Sequence, residues 1–213
     1  MKYYVIPDIH GRNDLLQLAL AAIYEQNPNG GTRIVFLGDY IDRGPEGIQV
    51  LQTVMNPPEG WEFVTLKGNH EDMFVGGYHR QNEYYDPKFV DQVRNSDMSF
   101  STIARWFESL PLAYREGQNV FAHAWFEADR PVDQQVDTMA LWARFPDEMA
   151  YDGNGLFLTH GHTPRRHGPI FAPNRLNLDC GAVFADRLVV AEFEEGKTGP
   201  VGFQQFMTNT TVD

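Results

Sequence analysis

Residues 33–44 read Arg-Ile-Val-Phe-Leu-Gly-Asp-Tyr-Ile-Asp-Arg-Gly, and this stretch sets the fold class. Arg33 to Leu37 is a β-branched and aromatic run of strand length, and Gly38 opens the turn that ends it. Asp39, Asp42 and Arg43 fill that turn, and Pro45 then starts a helix through Met55 with Ile48, Leu51 and Val54 on one side. The same order occurs upstream. Lys2 to Ile6 is a strand, Pro7 to Gly11 a polar turn, and Asn13 to Gln26 a helix with Leu15, Leu16, Leu18, Leu20 and Ile23 periodic. It stops at the breaker Asn-Pro-Asn-Gly-Gly, residues 27–31. Downstream, Glu62 to Leu66 is a third strand, and Lys67 to Glu71 a loop leading into another helix. This repeated order predicts βαβ units and an α/β core.

Farther along, residues 76–98 lose periodicity and are expected as an excursion over one face, with Tyr78, Tyr84, Tyr85 and Phe89 forming a satellite core beneath it. Ser99 to Leu110 is helical by the spacing of Ile103, Trp106, Phe107 and Leu110. Asn119 to Ala122 is a strand ending at His123, Val136 to Phe145 a helix, and Gly155 to Leu158 a strand running to His160. Leu176 to Leu178, Arg187 to Phe193 and Val201 to Phe206 are strands without helices between them. The whole of 1–213 is expected as one domain.

Seventeen Lys and Arg against 29 Asp and Glu give a formal net charge of −12. That balance argues against a nucleic-acid partner, which needs a basic face to release counterions from phosphates. A small phosphorylated substrate stays allowed, because bound divalent ions reverse the local potential. The lone Cys180 forms no internal disulfide. The four-residue apolar run before Pro7 is too short for a signal peptide or a membrane span, so a cytoplasmic location and no membrane partner are expected.

Polar residues cluster after each strand: Asp8 and His10, then Asp39, Asp42 and Arg43, then Asn69, His70 and Glu71, then His123, then His160 and His162. The carboxyl ends of strands in an open α/β sheet share one edge, where ligands bind. Oxygen and imidazole ligands without thiolate suit manganese, iron or zinc. Asp8 and His10, two residues apart in extended backbone, are expected to point the same way and grip one ion.

The set Asp-Ile-His-Gly (8–11), Gly-Asp-Tyr-Ile-Asp-Arg-Gly (38–44), Gly-Asn-His-Glu (68–71), His-Ala (123–124) and Gly-His-Thr (161–163) resembles the metallophosphoesterase superfamily. The second and third motifs resemble more narrowly the phosphoprotein phosphatase family, most like its small bacterial and phage members. Asp-Cys-Gly-Ala (179–182) is similar to that family's Asp-Thr-Gly-Ala. The resemblance implies a four-layer α/β/β/α sandwich, two mixed sheets flanked by helices. It also implies two divalent ions, manganese foremost with iron or zinc as alternatives. Asp8 and His10 would hold the first ion, Asp39 would bridge, and Asn69, His123 and His162 would complete the second.

In the chemistry so implied, a hydroxide bridging the ions attacks phosphorus directly. Arg43 and Arg144 hold the phosphate with Asn69 and His70, and His70 protonates the leaving group with Asp42 orienting it. Arg165, Arg166 and His167 are either further anion contacts or a solvated loop. Two departures stand out: Pro7 occupies the family's glycine position, and Trp125 follows His-Ala, where it would wall the groove.

Three functions compete. The first is a phosphomonoesterase, a serine/threonine or dual-specificity protein phosphatase acting on phosphoproteins or small phosphate monoesters. The second is a symmetrical dinucleoside tetraphosphate hydrolase, a sister branch that lacks the aspartate matching Asp42 and reads Gly-Asn-His-Asp. Asp42 and Glu71 therefore favour the first. The third, an inactive binding domain, is disfavoured because no ligand is missing.

Overall fold

The computed structural model describes residues 1–80 and 86–208. Two five-stranded mixed sheets carry the chain. The first has the order β10-β9-β1-β2-β3, built from β1 (Lys2–Ile6), β2 (Arg33–Phe36), β3 (Glu62–Thr65), β9 (Arg187–Glu194) and β10 (Gly202–Met207). Its β1, β2 and β3 are parallel, β9 is antiparallel to β1, and β10 is antiparallel to β9. The second has the order β4-β5-β6-β8-β7: β4 (Ala113–Glu116), β5 (Asn119–Ala122), β6 (Phe157–His160), β7 (Ile170–Ala172) and β8 (Arg175–Asn177). Here β5, β6 and β8 are parallel and the edges β4 and β7 antiparallel.

Alternation of side chains along the strands makes the layers. On β1, Tyr4 and Ile6 face the helices while Tyr3 and Val5 face the other sheet. On β2, Ile34 and Phe36 take the helical side and Val35 the inter-sheet side. Phe121 of β5 and Leu176 of β8 meet them from the second sheet, whose opposite face buries Val120, Ala122 and Leu158 in a third core. Three cores between four layers give the expected sandwich.

The helices outside the first sheet are α1 (Asn13–Gln26), α2 (Gly47–Val54), α3 (Asn69–Arg80), α4 (Pro87–Arg94) and α5 (Phe100–Ser109). Outside the second lies α6 (Asp137–Trp142), and the short α7 (Ala182–Ala185) follows β8. The expected excursion over 76–98 is largely helical, a correction with a local cause. α3 runs on to Arg80, and α4 starts at an Asp86 cap with Pro87 in its first turn and buries Phe89 and Val93. Phe89 belongs to the helical core and packs on Phe74 at 5.8 Å; Tyr84 and Tyr85 lie outside the described residues. The helix expected through Phe145 stops at Trp142, because Ala143 is extended (ψ 140°). No helix among the described residues is long and apolar enough to cross a membrane.

Candidate active site

All six parallel strands end in one region, three from each sheet. Asp8 follows β1, Asp39 follows β2, Asn69 follows β3, His123 follows β5, His162 follows β6 and Asp179 follows β8. The loops holding them are tight and strained. Eight non-glycine residues among those described have positive φ, and five of these are His10 (48°), Asp39 (53°), Asp42 (66°), Arg43 (67°) and His162 (68°). His10 therefore does not reach the site by extended alternation from Asp8, as expected, but through a left-handed turn. The amides of Ile9 and His10 both donate to the carbonyl of Asp39, at 3.1 and 2.9 Å, joining the first two loops.

Close approach also needs missing side chains. A Cβ on Gly161 would lie 2.0 Å from Asp8 Oδ1, and the next amide, of His162, donates to both Asp8 carboxylate oxygens at 3.1 Å. A Cβ on Gly68 would lie 2.3 Å from Asp39 Oδ1.

Two groups of ligand atoms converge on Asp39, one on each of its oxygens. Asp39 Oδ2 is 3.3 Å from His10 Nε2 and 4.0 Å from His70 Nε2, and Oδ1 is 3.5 Å from His123 Nε2. Asp8 joins Asp39 and His123 within ligating distance, rather than pairing with His10 alone. His123 Nε2 is 2.9 Å from Asn69 Oδ1 and 3.2 Å from His162 Nδ1. His10 Nδ1 donates to the Ile41 carbonyl at 2.8 Å and His123 Nδ1 to that of Leu37 at 2.9 Å, so both Nε2 lone pairs point inward.

Such a convergence of lone pairs fits cations. Burial lowers His10 and His162 to about 3, against the pull of Asp39, and lowers His123 too, so these rings are neutral ligands at physiological pH. Burial opposes ionisation of Asp39, but His123, His70 and His10 outweigh it and keep the acid below its ordinary range. Burial also pushes Asp8 well above the usual carboxylate range, and Asp179 and Asp39 push it further. Positive charge already leans on one ligand nitrogen, since Arg43 Nη1 approaches His10 Nε2 at 2.6 Å, while Arg144 Nε donates at 3.1 Å to His162 Nε2, the ring nitrogen turned away from the ligand group. The donor set thus fits two divalent ions sharing Asp39.

Beside the first group, His70 Nδ1 faces Asp42 Oδ2 at 2.6 Å and its Nε2 meets Arg43 Nη2 at 2.9 Å. Burial lowers the basicity of His70, but Asp39 and Asp42 outweigh it, and the net shift is upward.

Glu71 has a role that its position at a helix start only hinted at. It is fully buried, and its carboxylate accepts from the amides of Asp39 (2.8 Å), Tyr40 (2.9 Å) and Gly68 (2.9 Å). The Gly68 contact is the reach-back half of a capping box; the other two tie α3 to the Asp39 loop. Burial, followed by the charge of Asp39, raises its pKa to about 8. Asp179 orders its own turn by accepting from Gly181 N at 2.8 Å. His160 Nδ1 sits 3.0 Å from the Gly161 carbonyl and joins neither ligand group.

Other expectations move. Trp125 does not wall the groove; it is buried on Phe145 (4.2 Å) and Tyr151 (5.4 Å) and lines a separate cavity of about 360 Å³. Arg165 is committed to Asp147, at 2.8–2.9 Å. Sequence reasoning missed Arg12, whose guanidinium donates to the Ala182 carbonyl, Asp14, Asp186 and Thr208, clamping α7. Its one signal was a cation directly after the His10-Gly11 turn.

Comparison with known proteins follows from this geometry. The calcineurin-like phosphoesterase family model matches residues 1–192. Curated relatives named asymmetrical bis(5'-nucleosyl)-tetraphosphatase PrpE include one from Anoxybacillus flavithermus, 28% identical, and one from Bacillus subtilis, 26% identical; in both cases 93% of each chain is covered. Among solved structures, one provisionally described as a diadenosine tetraphosphatase aligns with TM-score 0.71 at 19% identity, over 98% of this chain and 95% of that one. A cold-active protein-tyrosine phosphatase from a psychrophilic Shewanella aligns with TM-score 0.66 at 17% identity, over 89% and 75%.

These relatives overturn the protein-phosphatase reading, together with the phosphoprotein substrate and the narrower phosphoprotein phosphatase assignment it rested on. That expectation rests on Asp42 and Glu71, and the Glu71 carboxylate is engaged by three backbone amides. With its motif-bearing loops, its two convergent ligand groups and a family model spanning nearly its whole length, this chain belongs to the calcineurin-like phosphoesterases.

Proposed function

We propose that this protein is a manganese-dependent hydrolase of dinucleoside tetraphosphates that cleaves them asymmetrically. The observation that carries this reading is the similarity to tetraphosphatases so named over 93% of both chains. The site supports it: the guanidiniums of Arg43 and Arg144 are held by histidine nitrogens rather than by carboxylates, and stay available to phosphoryl oxygens.

Asp8, His10, Asp39, Asn69, His123 and His162 would hold the two ions, with Asp39 shared between them. When bound, the pair supplies an activated water at neutral pH and neutralises phosphoryl charge. The fixed forks of Arg43 and Arg144, with Asn69 and His70, orient the polyphosphate. With Arg43 turned from His70 Nε2 to the bound phosphate, that nitrogen is free to carry a proton and give it to the departing phosphate oxygen, and Asp42 at Nδ1 fixes the ring's tautomer and orientation. Water thus adds across one P–O–P bridge.

The test is chromatography of products from diadenosine tetraphosphate and the manganese-loaded protein. ATP and AMP are expected. Two molecules of ADP would replace asymmetrical by symmetrical cleavage, and an intact dinucleotide would overturn the reading.

A further inference from the structure

Phe184 lies on α7, seven residues beyond the end of β8, and is 46% exposed. Two guanidiniums pack against its ring without closing it off: Arg43 Cζ is 5.4 Å from the centroid and Arg166 Cζ 5.5 Å. Arg43 also touches His10 and His70, so the ladder Arg43–Phe184–Arg166 leads outward from the ligand groups.

Neither the ring nor the outer arginine is loosely placed. α7 begins at Gly181 (φ 70°) and ends at Asp186 (φ 50°), and the Arg12 guanidinium binds both the Ala182 carbonyl and the Asp186 carboxylate. The loop carrying Arg166 is pinned on both sides: its neighbour Arg165 by Asp147, its own carbonyl by Arg187. Arg166 is exposed, and its side chain rests on Phe184. A rigidly held, half-exposed aromatic face beside a phosphoryl-holding arginine costs hydrophobic free energy unless a ligand covers it.

We propose that Phe184 and Arg166 form a specificity-determining subsite. The nucleobase nearest the reacting phosphate stacks on Phe184, and Arg166 takes an oxygen of the adjoining phosphate chain. This deepens the dinucleotide reading and rests on it for the identity of the ligand. Stacking suits any base, because every base has a π face; the subsite selects nucleotides over simple phosphates, not one base over another.

The experiment titrates the manganese-loaded full chain with α,β-methylene-ADP and, separately, with methylenebisphosphonate, which offers a related P–C–P anion without a nucleoside. The unaltered protein is expected to bind the nucleotide about tenfold more tightly. Phe184→Leu should erase that preference and leave bisphosphonate binding unchanged, Phe184→Trp should keep it, and Arg166→Ala should weaken both ligands. A preference that survives Phe184→Leu, or that the unaltered protein lacks, overturns the subsite. Cleavage of diadenosine tetraphosphate is followed in parallel. Intact dinucleotide with the binding preference present removes the tetraphosphatase reading alone; cleavage without the preference removes the subsite alone.

Discussion

His70 Nδ1 and Asp42 Oδ2 are 2.6 Å apart, both largely buried, and this contact leaves His70 Nε2 as the atom that faces the ligand groups. The carboxylate, with Asp39, holds the ring more basic than burial alone would allow. A histidine so placed is suited to give a proton, but it also lies within reach of His10 and Asp39 as a metal ligand.

The two roles separate in His70→Asn. Turnover of diadenosine tetraphosphate should fall by up to about 10²-fold, the low end of a general acid's usual worth because a phosphate leaving group needs less protonation, with the bound-metal stoichiometry unchanged. Loss of an ion, measured by elemental analysis after gel filtration, would make His70 a ligand instead.

Asp39→Asn tests the sharing of one carboxylate by two ions. Each Asp39 oxygen faces a different ligand group, so the amide should lower occupancy at both positions. Two ions per chain with normal turnover would disprove the sharing.

Glu71→Asp asks whether this position encodes substrate. The shorter side chain cannot keep all three backbone contacts, and leaving buried amides unpaired costs about 1–3 kcal/mol each. A lower denaturation midpoint is expected, with the ratio of dinucleotide to monoester turnover unchanged. A changed ratio at unchanged stability would restore Glu71 as a substrate determinant.

The chelated protein should lose stability between about pH 6.5 and 8. Burial raises Asp179 to about 7 and Glu71 to about 8, above their unfolded values, so the stability they contribute is present at low pH and lost as pH rises through those values. His10, His123, His160 and His162 are depressed and act oppositely, but only below their unfolded pKa of about 6.5. Thermal melts at pH 6.5 and 8 check this. Excess manganese should flatten the difference, because cations replace protons on the clustered acids.

The sheet strands were legible where β-branched runs meet turn residues: Lys2–Ile6 and Asn119–Ala122 agree with the structure residue for residue, as does the helix Asn13–Gln26. The candidate ligand residues stand out in the sequence because each follows within a few residues of a strand end. The edge strands β4 and β7 were not, being short and half-exposed with little apolar pattern. α4 was hidden by the aromatic and charged residues before it, although its Asp-Pro start at 86–87 is a cap signal. Substrate choice was misread because a sequence shows that Glu71 is acidic but not that it bonds to Gly68, Asp39 and Tyr40. Nor could it show that Arg165 is spent on Asp147 while its neighbour Arg166 rests on an aromatic ring.

The first sheet supplies Asp8, Asp39 and Asn69 from residues near its start, and the second, spanning 113–177, supplies His123 and His162 before the chain returns to pair β9 with β1. Residues 113–177 are therefore a continuous insertion whose docking assembles the ligand set. Ions held across that seam would act as rivets, and metal off-rates and amide exchange in β5 and β6 are expected to share one activation barrier.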